Sequence, residues 1–208
     1  MKIYTGWGYG KNKIDNIKRL NLGIMISSID IDKKILIDKE IYFAIDNGAF
    51  QCWNRGYPFM ENNFIRILEL CFKNGVNPEF IVCPDIVAGG MKSFEFSLRW
   101  ADRLVGCRNL YFAVQDGMNV SEVAGIIGDF YGIFIGGTKE WKWKTARSWI
   151  DMAHKNKKLC HIGRCGTLLA LITAEELCAD SVDSTNFIRH DSWDIIEKFR
   201  NGEQNLFT

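Results

Sequence analysis

The chain has 208 residues, 47% hydrophobic and 25% charged, which suits one domain with a single sizeable core. Its formal net charge of +1 excludes a global field that would draw it to nucleic acid or a membrane, so any polyanion site must be a local patch. No apolar run approaches the ~20 residues of a membrane span, and the opening Met-Lys-Ile-Tyr-Thr-Gly has no signal-peptide core, so a cytoplasmic location is expected.

Taken in order, residues 2–7 form the first strand and lead into Gly6-Trp7-Gly8-Tyr9-Gly10, an aromatic loop that either covers a ligand or makes a tight turn. Residues 22–27 form the second strand, and the first two crossovers carry the weakest helical signal. The stretch 29–40, with Lys33 and Lys34 before an apolar run, reads as a small hairpin or an irregular connection. The third strand, 42–46, ends in Asp46-Asn47-Gly48. Helical spacing over 63–74 puts Phe64, Ile67, Leu68 and Cys71 on one face. A strand over 80–85 precedes a helix over 93–105, with Phe94, Leu98, Ala101 and Val105 on its apolar face and Ser93 a candidate N-cap. Strands at 110–115, 133–137, 159–163 and 181–185 then alternate with helices at 121–130, 144–155, 168–178 and 192–202, and the tail after Arg200 reads as a frayed end or small cap.

Short, nearly continuous apolar strands alternating with helices predict parallel pairing and burial on both faces. Eight of them in 208 residues predict an α/β fold, one compact (β/α)8 TIM-type barrel forming a single catalytic domain over 1–208, with a doubly wound open sheet as the alternative. There is no G-x-G-x-x-G turn, Walker loop or low-complexity linker. The seven cysteines are odd in number, lack a Cys-x-x-Cys and sit mostly in apolar patterns, which predicts reduced, buried thiols. Cys160, His161 and Cys165 cluster without a fourth ligand and read as strand residues rather than a zinc site.

Several strands stop at an acid or amide followed by a small residue. In a barrel the C-terminal strand ends converge on one mouth, so Asp46, Asp85, Gln115, Gly136, Gly137, His161 and Asp183 are expected there together. Two separated carboxylates suit displacement at an anomeric carbon, one as nucleophile and one handling the leaving group's proton. A third carboxylate and an amide suit the donor and acceptor edge of a heterocycle, and paired glycines admit a flat ligand close to the backbone. Singly, each residue also reads as a turn or cap; the convergence of all of them favours a site.

The order and spacing of these motifs resemble the tRNA-guanine transglycosylases and their DNA-modifying relatives over roughly residues 42–189. The family's Asp-Ser-Gly-Gly-Phe/Tyr-Gln is similar to Asp46-Asn47-Gly48-Ala49-Phe50-Gln51, which implies proton handling by Asp46 and a substrate contact at Phe50. Asp85 is the positional match to the base-reading aspartate, and Val114-Gln115-Asp116-Gly117 resembles the family's Val-Gln-Gly. Ile135-Gly136-Gly137-Thr138-Lys139-Glu140 resembles its Gly-Gly-x-x-x-Gly-Glu. The nucleophile motif Asp-x-x-Asp-Cys-Val-x-x-x-Arg is similar to the stretch from Asp180 through Asp183 to Arg189, implying Asp183 as nucleophile and Arg189 as substrate anchor. Residues three apart on a strand face opposite ways, so only one of Asp180 and Asp183 faces the site. The chain has Ala49 where the family has its second glycine and lacks the family's Cys-x-Cys-x-x-Cys…His insertion. That favours DNA over tRNA and a minimal barrel of the kind expected for a phage or mobile element, working in the host cytoplasm. The resemblance implies exchange of guanine for a 7-deazaguanine such as preQ0 through a glycosyl–aspartate intermediate, with no metal or organic cofactor.

Lysines and tryptophans interleave between Lys139 and Trp149, a pattern suited to phosphate contact and base stacking. Trp149 is expected in the core, with Lys139, Lys142 and Lys144 free to reach phosphates. Arg55, beside Trp53, is a further candidate contact, while His154, Lys157 and Lys158 fall at the far end of the barrel as a solvated turn. Two other readings stay open. One is an N-glycosidase or exchange enzyme on free nucleosides or nucleotides, and the other a non-catalytic purine- or nucleic-acid-binding barrel.

Overall fold

The computed structural model describes residues 1–8, 10–29 and 40–203. Eight parallel strands close into a barrel in chain order: β1 (Lys2–Thr5), β2 (Gly23–Ser27), β3 (Phe43–Asp46), β4 (Ile81–Val82), β5 (Leu110–Val114), β6 (Gly132–Ile135), β7 (Leu159–Ile162) and β8 (Ser181–Ser184). Closure comes from β8 pairing with β1, with Tyr4 opposite Asp183. The expected α/β barrel is therefore the fold, and the open-sheet alternative is not.

Alternation along each strand divides the apolar side chains into two layers. Ile24, Ile26, Ile45, Phe112, Val114, Ile133, Ile135, Cys160, Ile162 and Val182 belong to the large core between barrel and helices. Tyr4, Met25, Ala44, Phe80, Val82, Tyr111 and Ala113 form a second cluster, with Tyr42 and Phe134 against it. This second set fills the barrel, and it is unusually aromatic: Phe80 stacks on Tyr111 at 4.2 Å and meets Tyr4 edge-on at 5.5 Å. Glycines make the room. A Cβ on Gly23 would lie 2.3 Å from the Tyr42 ring, and one on Gly132 would lie 2.8 Å from that of Tyr111.

Nine helices occur among the described residues: α1 (Lys11–Arg19), α2 (Ala49–Asn54), α3 (Glu61–Lys73), α4 (Met91–Arg103), α5 (Val120–Ile126), α6 (Lys139–Lys155), α7 (Leu168–Glu176), α8 (Asn186–Arg189) and α9 (Trp193–Arg200). None is long and apolar enough to cross a membrane. The first crossover is helical after all, through α1, whereas the hairpin reading falls on residues 30–39, outside the described residues, as does Tyr9 of the aromatic loop. Helix α6 starts at Lys139, five residues before the expected 144, because Thr138 Oγ1 accepts the Trp141 N–H and caps it.

Helix α4 overturns two expectations. Phe94, Leu98 and Ala101 pack against the core as expected, but the fully buried residues are Ser93, Ser97 and Trp100, and Val105 lies past the helix and is exposed. Ser93 is not the N-cap, a position taken by Gly90. The two serines turn inward because buried backbone needs them: Ser97 Oγ donates to Pro84 O at 2.9 Å, and Ser93 Oγ accepts the Ile86 N–H at 3.0 Å. Apolar periodicity misses this face since part of it is polar.

Candidate active site

Asp46 is the last residue of β3, Gln115 follows β5 directly and Asp85 comes after Cys83 and Pro84 beyond β4, so all three reach the C-terminal mouth. The next residues on the β3 side build their support. Gly48 sits at φ 81, and a Cβ there would lie 2.6 Å from Ser28 Oγ, so glycine is required both by conformation and by space. The turn aims the Asn47 amide inward. Its Nδ2 donates to Cys83 O and to Asp85 Oδ1, both at 2.8 Å, and its Oδ1 accepts the Ala49 N–H at 2.8 Å at the start of α2. Gln115 Nε2 lies 3.1 Å from Asp85 Oδ2, 2.9 Å from Ile86 O and 2.7 Å from Ser93 Oγ. Among the described residues no hydrogen bond to its Oε1 is seen.

Electrostatics separate the acids. Burial pushes Asp46 up to about 7, and the charges of Asp183 and Asp85 push in the same direction, only partly offset by the N–H groups of Gly48 and Asn47. Burial also raises Asp85, to about 6, while the amides of Asn47 and Gln115 pull it back. At neutral pH Asp46 is thus poised between its two forms, and Asp85 is charged.

Asp183 points into the barrel from β8. His161 Nε2 lies 3.0 Å from Asp183 Oδ1, and His161 Nδ1 lies 2.8 Å from Ser181 Oγ. Burial holds the imidazole below its usual range despite the nearby carboxylate, so the ring is neutral. A carboxylate only accepts, so Nε2 carries the proton and Nδ1 accepts from the Ser181 hydroxyl. The ring stacks on Phe134 at 4.9 Å, with Tyr4 and Phe80 around it. Asp183 also anchors the loop after β7: its Oδ1 accepts the Arg164 N–H at 3.3 Å and its backbone carbonyl accepts the Cys165 N–H at 2.7 Å.

Asp180 is excluded from this group. Its Oδ2 accepts the Cys160 N–H at 2.7 Å and pairs with His154 Nε2 at 3.0 Å, at the opposite end of the barrel. The segment is the solvated turn expected, with His154 and Lys157 exposed, and Lys158 ties it down through bonds to Gly128 O and Phe130 O.

Two expected site residues lie elsewhere than the mouth surface. His161 is fully buried beneath Asp183 and touches the acid instead of open space. Lys142 is not free for phosphates: it is 2% exposed and its Nζ donates to Gly163 O, under the loop after β7. Burial lowers its pKa. The α6 stretch is helical, so about one residue in every three or four must face the barrel; Lys142 takes that direction with Trp149, which is core as expected. Lys139 and Lys144 are exposed on α6, and Arg55 is exposed after α2. Arg189 is exposed on α8, and no hydrogen bond or ion pair among the described residues joins it to the three acids. Gly136 and Gly137 follow β6, Gly137 at φ 70, where a Cβ would lie 2.6 Å from both Asp116 Oδ2 and the Trp141 ring. Asp116 is the brace of that turn, accepting from the Thr138 N–H and Oγ1, each at 2.7 Å. Phe50 is 41% exposed, with the Arg164 guanidinium 4.8 Å above its ring.

Sequence reading passes over Asn47, Ser93, Ser181 and Arg164. The first two looked like turn and cap residues. The available signal for Arg164 was position: a cation one residue past a strand-ending glycine, at the end where the acids collect. His161 faces inward while Cys160 belongs to the outer core, so this neighbouring pair does not share a site.

No family model matches this chain, and no curated protein matches it.

Proposed function

We propose that the protein is a base-exchange transglycosylase of nucleic acid that replaces guanine with a 7-deazaguanine, DNA being favoured over tRNA. The observation that carries this reading is the unlike environment of two carboxylates at one mouth. Asp46 is raised to about 7, and Asp183 is held inward by His161 and the Arg164 N–H. Acids set apart in this way suit an acid/base and a nucleophile.

In the proposed reaction an Asp183 oxygen attacks C1′ of the target nucleotide and the C1′–N9 bond breaks. The electron pair goes to N9, and protonated Asp46 supplies the proton that lets guanine leave. Asp46, now charged, removes the N9 proton of the incoming 7-deazaguanine, whose nitrogen attacks C1′ and frees Asp183. One proton moves out and one returns, so no co-reactant is consumed. Asp85 and the Gln115 oxygen suit the base: guanine presents N1–H and N2–H donors to acceptors. The target nucleotide must leave a duplex stack to reach a barrel mouth, or come from a single strand.

The test is release of labelled guanine from DNA and, in parallel, from tRNA, with and without a 7-deazaguanine. Exchange on DNA that is lost in Asp183→Ala supports the reading and its preferred polymer. Release from neither polymer sinks it and turns attention to free nucleotides.

A further inference from the structure

Arg164 is a cation at the mouth, yet among the described residues no ion pair joins it to Asp46, Asp85 or Asp183. The loop that carries it is fixed from several sides. Lys142 Nζ donates to Gly163 O, the Gly163 N–H donates to Ile135 O at 3.1 Å, and Asp183 takes the N–H groups of Arg164 and Cys165. Within this rigid loop Arg164 itself sits at φ 61, a conformation costly for a residue with a side chain.

The side chain then runs away from the loop's own edge. Its Nη2 donates to Gly137 O, after β6, and its guanidinium lies 4.8 Å from the centre of the Phe50 ring, on α2 after β3. In a closed barrel of order β1 to β8, β7 and β3 stand diametrically opposite. Arg164 therefore crosses the mouth, and what it touches is a carbonyl and an aromatic face, with the Asp116 carboxylate within electrostatic reach. Among the described residues no ion pair joins it to a carboxylate. Both of its partners are weak substitutes for an anion: a guanidinium binds phosphate through two parallel charged hydrogen bonds.

We propose that Arg164 is a specificity residue that reads the phosphate of a nucleoside phosphate entering the mouth. In the structure described it rests as a strap on Phe50 and Gly137. When the ligand enters, the guanidinium leaves both for the phosphate, and the bared Phe50 ring takes the flat base. Trp53, 55% exposed and 5.8 Å from Phe50, extends the stacking surface outward. The position agrees with the general placement of phosphate sites in these barrels, at the loops after the last strands. The identity of the base rests on the base-exchange reading above; the phosphate preference does not depend on turnover.

The phosphate has two sources, a free nucleotide or a strand. Equilibrium binding of guanosine, guanosine 5′-monophosphate and a short single-stranded dG-containing oligonucleotide separates them. Wild type is expected to hold the monophosphate or the oligonucleotide roughly tenfold or more tighter than guanosine. Arg164→Gly suits the positive φ and keeps the fold, as a melting curve checks; it should collapse that ratio to near one. Arg164→Lys should restore part of it, since lysine keeps the charge without the planar fork. Preference for the oligonucleotide names a strand as the source, and preference for the monophosphate names a free nucleotide. Equal binding of guanosine and both phosphate forms by wild type, an undiminished ratio in Arg164→Gly, or no binding of any of the three overturns the proposal. A ratio that depends on Arg164, with no guanine released, would sink the base-exchange reading alone. Guanine release with an unchanged ratio in Arg164→Gly would sink the role of Arg164 alone.

Discussion

The two ends of the barrel treat charge in opposite ways. At the N-terminal end Lys2 pairs with Glu79 and His154 with Asp180, in solvent, with every partner between about a third and a half exposed. Such pairs contribute little, and little is lost if they break. At the mouth Asp46, Asp85 and Asp183 are held by amides, backbone N–H groups and a neutral imidazole, with no lysine or arginine paired to them among the described residues. Burying acids without counter-charges costs stability. A fold tolerates that where the charges serve a ligand, which is why the costly end is the one to read for function.

The sharpest way to break this contrast is to remove the acid with the proposed covalent role. Asp183→Ala should lower guanine exchange by at least about 10³-fold and abolish trapping of a glycosyl–enzyme adduct; because it also leaves the buried His161 Nε2–H and the Arg164 N–H without their acceptor, Asp183→Asn, which keeps an acceptor oxygen, checks that the loss is chemical. Retention of exchange in either variant would sink its assignment as nucleophile.

Asp46→Asn should cost about 10²- to 10⁴-fold in exchange and remove the ionisation near neutral pH from the rate profile. Its stability should move the other way. Between about pH 4 and pH 7 the folded state keeps a proton on Asp46 that the unfolded chain has released, so wild-type stability falls as pH rises through that window. The asparagine variant escapes this fall. Its unfolding free energy should exceed that of wild type at pH 8, by an amount on the order of 4 kcal/mol at most, and the advantage should vanish as pH drops towards 4. A variant no more stable at pH 8 than wild type would mean that Asp46 is not buried as an unpaired charge.

Lys142→Met tests the support beneath the mouth. Losing the charged donor leaves Gly163 O unsatisfied and should destabilise the fold by about 1–3 kcal/mol. Amide exchange should quicken in the loop that carries Arg164. Unchanged protection there would show that the lysine is not what holds the loop. Glu79→Gln, at the other end, should cost under about 1 kcal/mol and leave exchange unaltered. A large effect would erase the contrast between the two ends.

Much of the barrel was legible from residue order because strands buried on both faces must be apolar throughout, as Phe43-Ala44-Ile45 and Leu110 to Val114 are. The acids and the amide at the ends of β3, β4 and β5 were legible for the same reason, Asp46, Asp85 and Gln115 each following an apolar run, whereas Asp183 lies in the polar stretch Asp180-Ser181-Val182-Asp183-Ser184-Thr185. Periodicity failed where a buried face was polar. Ser93, Ser97 and Lys142 look like surface residues in the sequence, and each is buried because an oxygen or nitrogen of the backbone, or Gln115, needs a partner there.

The sequence alone determined the alternation of elements, the parallel barrel and the end at which acids gather, since these depend on patterns a few residues long. Only the closed tertiary structure decided which acid of the Asp180 and Asp183 pair faces inward, because β7 supplies both partners: His161 from inside and the Cys160 N–H at the floor. It also decided that His161 lies beneath the site and that Lys142 props a loop. Arg164 crosses to Phe50 through the same closure, which sets β7 opposite β3 and brings together residues 114 positions apart in sequence by count from 50 to 164. Contacts at that separation follow from strand order and barrel geometry, which no local pattern of residues encodes.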